Sequence, residues 1–199
     1  SMTAQITSAQ DVLDDGALLA ADHQRVLHDL VGEGTPYDAA HRGRYDFSLA
    51  VATLRFTGPD VPPITLRAHF VGSAAPGPGT WFWGWKNLMG FPSDVVAYAH
   101  HVRGFGERYG IDELTEQEHP LRGAPREDAQ RYAMLAATVC GGMTTYTAEV
   151  GGGTVLAMLL DGPGLELPAP SAVRVSTLVP EVVSAGTVVD WRRALASYG

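Results

Sequence analysis

Seven histidines, one cysteine and a cluster of acidic residues are the groups in this chain that could do acid, base or nucleophilic chemistry. A hydrolase or thioesterase acting on an acyl substrate needs a base, a carboxylate to orient it and amide donors for the oxyanion. These can come from dispersed segments and leave no local signature. His69, His100 and Glu107 are the residues with types suited to such roles. The pair His100-His101 is a poor metal site, because neighbours on a helix diverge by about 100°. His23 and His28, five apart, also leave a shared helical face. The chain has no H-E-x-x-H, no cysteine pair and no acidic loop of calcium-binding spacing. Cys140 falls at a helix end whose negative dipole disfavours a thiolate, so it reads as a small buried hydrophobe. Asp112, Glu113, Glu116 and Glu118 read as a solvated loop, with a general base as the other possibility. Gly151-Gly152-Gly153 joins two strand patterns and lacks the Lys-Ser/Thr of a phosphate loop. Gly104-Phe105-Gly106 lies within a helical pattern, unlike a dinucleotide fingerprint. No G-x-S-x-G elbow occurs. Catalytic residues are therefore unassigned, and neither a metal nor a cofactor is expected.

A second kind of site is aromatic. Gly79-Thr80-Trp81-Phe82-Trp83-Gly84-Trp85-Lys86-Asn87 carries three of the four tryptophans. Alternation along a strand puts Trp81, Trp83 and Trp85 on one face and Phe82 and Gly84 on the other. Such a face is either sheet core or the wall of a pocket for a small apolar or aromatic ligand. Lys86 and Asn87 stand at its end, where polar groups could orient that ligand. Trp83, mid-strand, suits the core, and Trp85 is the tryptophan best placed to touch a ligand. The missing side chain at Gly84 would let a helix approach closely.

These groups need elements to position them. Ser8 and Asp11 open a helix over 8–32, with Val12, Leu19, Val26, Leu27 and Leu30 near helical spacing and Gly16 loosening its first turns. Tyr45–Phe56 reads as one strand, Ile64–Phe70 as a second and the tryptophan run as a third, in an antiparallel meander. Phe91-Pro92-Ser93-Asp94 opens a helix that Gly110 closes. A polar loop over 111–125 leads to a helix from Glu127 to Cys140. Met143–Glu149 and Thr154–Leu160 form a hairpin around three glycines, joined to the same sheet. Residues 163–199 are a helical C-terminal segment that Pro180 divides and Asp190 caps near its end. The expected fold is α+β: an antiparallel sheet of about five strands wrapped by helices, in a single domain over 1–199. Residues 1–7 read as a flexible N-terminus, with Ser1 a tag residue before Met2.

Composition narrows the function. With 45% hydrophobic residues and a formal net charge of -8, the chain is packed and acidic, which disfavours nucleic acid and anionic membranes. No apolar run reaches the ~20 residues needed to cross a bilayer. A lone cysteine and no signal-peptide pattern point to a cytoplasmic setting.

The tryptophan stretch resembles the GTW-aromatic-WxWxN core of the DUF6882-type uncharacterised bacterial proteins. Val71-Gly72-Ser73 before it, Gly104-Phe105-Gly106-Glu107-Arg108-Tyr109-Gly110 after it, and the later Gly141-Gly142 and Tyr146 are similar as well, over roughly 45–160. The resemblance supports the fold boundaries and implies no catalytic residue. The expected function is a non-catalytic module that binds a small molecule or a protein partner through Trp81, Trp83, Trp85, Lys86 and Asn87. The alternative is the acyl-directed hydrolase.

Overall fold

The computed structural model describes residues 5–198, so most of the flexible N-terminus expected over 1–7 lies outside the described residues. Helix α1 (Ala9–Val31) is capped by Ser8, whose hydroxyl accepts from the Asp11 N–H. Its early turns are intact. Gly16 is there for contact, since a Cβ would overlap the Thr138 side chain of α4 (Pro125–Val139).

The sheet has seven antiparallel strands, more than the five expected from the sequence: β1 (Arg44–Ser48), β2 (Thr53–Thr57), β3 (Ile64–Ala75), β4 (Thr80–Trp83), β5 (Glu118–Pro120), β6 (Thr144–Glu149) and β7 (Val155–Asp161). The run 45–56 is two strands. Ala52 takes φ 54, and Val51 is exposed in the turn between them. The expected polar loop over 111–125 holds a short helix, α3 (Asp112–Thr115), as well as β5.

The long strand β3 organises the sheet. One of its edges pairs along most of its length with β7, whose other edge carries β6. The opposite edge is shared by β2 at the start and β4 at the end. Between them the Phe70 N–H donates to the Val95 carbonyl at 2.8 Å, closing the gap with the segment that enters helix α2 (Ala97–Tyr109). That helix starts later than expected, at Ala97 with Val96 in the capping position and no side-chain cap. Its Gly110 takes the left-handed conformation that the sequence suggests.

Apolar side chains leave the sheet on both faces. One face meets α1, α2 and α4 through Val12, Leu13, Val102, Tyr132, Leu135 and Ala136. The other buries Leu54, Phe56, Leu66, Phe70, Met158 and Leu160 beneath Leu27, Val31, Val96 and Leu165. Helix α1 thus contributes to both layers, passing along the β6 side of the sheet. A third cluster joins α1 to α5 (Ala172–Ala185) and α6 (Trp191–Tyr198) through Ala17, Leu18, Leu178, Val182 and Tyr198. Pro180 does not divide α5. It sits on the exposed side, as does Ser176, whose carbonyl it deprives of the usual helical N–H partner. Asp190 caps α6, accepting from the Arg193 N–H at 3.1 Å. No helix among the described residues is long and apolar enough to cross a membrane.

Candidate ligand-binding cleft

The tryptophans come first. Strand β4 ends at Trp83, and Gly84–Lys86 turn in a 3-10 helix, so Trp85 does not share a strand face with the others. It reaches the same layer through the turn and stacks on Trp83, centroids 5.2 Å apart and planes within 15°. Trp81 stacks on Tyr132 at 4.5 Å and meets Trp83 edge-on. The three indoles are enclosed, with exposures of 0, 1 and 4% for Trp81, Trp83 and Trp85. The Trp83 indole N–H donates to the Glu113 carbonyl at 3.0 Å, and the Gln117 amide donates to the Trp83 carbonyl at 2.7 Å. Gly72 makes room for the Trp81 ring, and Gly84 lies against the Phe70 ring and the Val71 carbonyl rather than beneath a helix.

Lys86 is exposed. Asn87 adopts φ 50 and spends its amide on the next loop, donating to the Phe91 carbonyl at 2.6 Å and accepting from its N–H at 2.8 Å. On the far side of β4 from the indoles, Phe70, Phe82, Asn87, Leu88, Met89 and Phe91 line an apolar groove of about 260 Å³.

The dispersed residues do not converge. His69 is buried on β3, with Nε2 2.7 Å from Asp161 Oδ2 and its ring edge-on to Tyr98. This is a base oriented by a carboxylate, but Nδ1 is buried with no partner among the described residues, so no nucleophile meets it. Tyr98 faces His69 from α2, and His100 lies two residues on, about 200° around the helix. His100 and Glu107 are exposed, and Glu107 pairs with Arg103 at 3.3 Å. Burial pushes the Cys140 thiol up to about 12, which keeps it protonated. Glu113 is not a free loop base. Burial raises its pKa, but the hydrogen bond and charge of Arg131, with Arg122 and His119 nearby, outweigh that and lower it overall. No cluster of three or more metal-ligating side chains occurs among the described residues.

A cleft larger than that groove, about 480 Å³, opens beside β6, between α1, α4 and α5. Its size falls within the range of small-molecule sites. Ala17, Ala20, Ala21, Leu27, Met134 and Val182 supply its apolar walls. Polar groups converge from separate elements. Gln24 of α1 donates at 2.8 Å to both the Thr145 carbonyl and the Thr145 hydroxyl. Arg126, in the first turn of α4, donates to the Thr147 hydroxyl at 3.1 Å. Glu181 of α5 is ion-paired with Arg25. Tyr146 forms part of the wall, and burial pushes its phenol up to about 12, with Tyr45 adding to the rise and Arg126 opposing it. Among the described residues, strand β6 has no strand partner beyond β7. The Thr145 carbonyl faces Gln24, away from β7, and the alternation of an antiparallel pair turns the Thr145 and Thr147 N–H groups the same way.

Of these cleft residues the sequence singles out only Leu27, in a helical pattern, and Tyr146, in the family resemblance, and neither as part of a site. The cleft residues lie between 17 and 187, and no short motif joins them.

No curated protein and no solved structure matches the chain. The profile of DUF6882, described as a family of unknown function, matches residues 10–163, which take in α1, the whole sheet and the tryptophan stretch. The chain therefore belongs to the DUF6882 family.

Proposed function

We propose that this protein is a non-catalytic, cytoplasmic, single-domain binding module, and that its ligand is a small molecule held in the cleft between α1, α4, α5 and β6. The observation that carries the reading is that cleft: an apolar floor of small side chains beside convergent polar groups and an open strand edge. The lone orienting contact at His69, which meets no nucleophile, supports binding over acyl hydrolysis. A thermal-shift screen of small amphipathic molecules tests the proposal. Hits are expected, and Ala20→Trp, which fills the cleft, should abolish their stabilising effect while the variant stays folded. Hits indifferent to Ala20→Trp would overturn it.

A second reading keeps the tryptophan stretch as the site. Trp83 and Asn87 border the apolar groove in which Leu88 and Met89 are 75 and 76% exposed. An apolar ligand or a protein partner seated there, with Trp81, Trp85 and Lys86 supporting the loop, would shift the Leu88 and Met89 amides. Occupation of the α1–α4 cleft alone would leave those two amides unchanged.

A further inference from the structure

We propose that the cleft takes a small amphipathic carboxylate, an acid with an apolar body, bound by the Arg126 guanidinium and the outward N–H of Thr147. This rests on reading the cleft as a ligand site and adds the class of ligand. Among the described residues lining the cleft, Arg126 is the one cationic fork, and its ion pair with Glu149 is long and solvent-exposed. Of its five donors, one goes to the Thr147 hydroxyl, and the others make no protein hydrogen bond among the described residues. Its nearest carboxylate, on Glu149, is 3.8 Å away, beyond hydrogen-bond reach, and more than half exposed. A planar fork beside a free backbone donor matches a carboxylate, whose two oxygens accept in parallel. The position of Arg126 in the first turn of α4 adds the positive end of that helix.

The other ligand classes fit less well. A cation would need a free anion in the wall, and Glu181 is already neutralised by Arg25. A phosphate dianion would meet one guanidinium, with Glu149 close by, in a chain of net charge -8. The alanine face of α1, with Leu27 and Met134, offers the apolar body of the acid a surface free of charge.

The test uses the full chain, labelled with ¹⁵N, and three probes below their aggregation thresholds: octanoate, octan-1-ol and octylammonium. Octanoate should shift the Thr145 and Thr147 amides and bind at least about tenfold tighter than octanol, since charge-assisted bonds are the stronger ones. Arg126→Gln should weaken octanoate about tenfold and leave octanol unchanged. Glu149→Gln, which removes the nearby anion and keeps Arg126, should tighten octanoate and stands independently should Arg126→Gln fail to fold. Octanol or octylammonium binding as tightly as octanoate, with the same amides shifted, would overturn the carboxylate class and leave the cleft reading intact. No shift of cleft amides with any of the three would overturn both.

Discussion

Trp83 combines two kinds of obligation. Its ring packs against Trp81, Trp85 and Tyr132, and its indole N–H and carbonyl are bonded to Glu113 and Gln117. Truncation removes the ring and leaves a cavity that rigid neighbours cannot close. Trp83→Ala should cost about 3–5 kcal/mol, roughly 6–20 °C in melting temperature for a chain of this size. A variant melting within a few degrees of wild type would show that this side chain is not core. His23 makes a prediction of a different kind. Burial lowers its pKa below 6.5, opposed by Asp22 and by a bond to the Gly142 backbone. The unfolded chain then binds more protons than the folded one between the folded value and 6.5. Stability should therefore fall as pH drops through 6.5 and level off below the folded pKa. Urea midpoints from pH 7.5 to 5 should show this limb, and His23→Gln should flatten it. Glu113 acts in a lower window. Its folded pKa is lowered, so its contribution is present above 4.5 and is lost as pH falls through the folded value.

At the scale of elements, Gly72 decides whether the aromatic layer closes. A Cβ there would strike the Phe82 carbonyl and the Trp81 ring at once. Backbone in a paired strand cannot give way, so Gly72→Ala should cost about 1–3 kcal/mol by overpacking, whereas Gly77→Ala, which meets nothing, should be near neutral. Comparing the two melting temperatures separates overlap from loss of backbone freedom. The elements also show what is legible in the sequence. The capped start of α1, the glycine-centred hairpin and the left-handed Gly110 rest on local chemistry, and each is found where that chemistry places it. The run 45–56 reads as one strand because Leu49-Ala50-Val51-Ala52 is apolar and yet turns, a choice made by pairing with β3 rather than by composition. Trp85 departs from strand alternation because the chain turns into a 3-10 helix directly after Trp83. The cleft is not legible at all, since Gln24, Arg126 and Thr147 meet only through folding.

The whole molecule extends beyond the family match. Residues 10–163 contain the sheet, α1 and α4, yet α1 buries charged groups against the C-terminal helices α5 and α6. Asp22 is 1% exposed, and it accepts from Arg174 Nε at 2.7 Å and from the Tyr198 hydroxyl at 2.6 Å. Asp14, equally buried, accepts from the Val189 and Asp190 N–H groups. Arg193 binds Asp15 from α6. Leu18 and Ala17 lie under Leu178 and Val182. A fragment ending at residue 163 would keep every strand but leave a stripe of apolar surface and carboxylates on α1 that the intact chain never exposes. The carboxylates would rehydrate at little cost, and the apolar stripe would not. The fragment should therefore bind a hydrophobic dye and melt well below the full chain, although the family match is complete within it. Arg174→Met tests the same interface without removing chain. It leaves the buried Asp22 carboxylate with Tyr198 alone and should cost about 3–5 kcal/mol, as expected when one partner of a buried pair is lost. A 1–163 fragment with the melting temperature of the full chain would show that α5 and α6 are an appendage. Loss of cooperative melting would make them part of the fold and, through Glu181 and Val182, of the cleft wall as well.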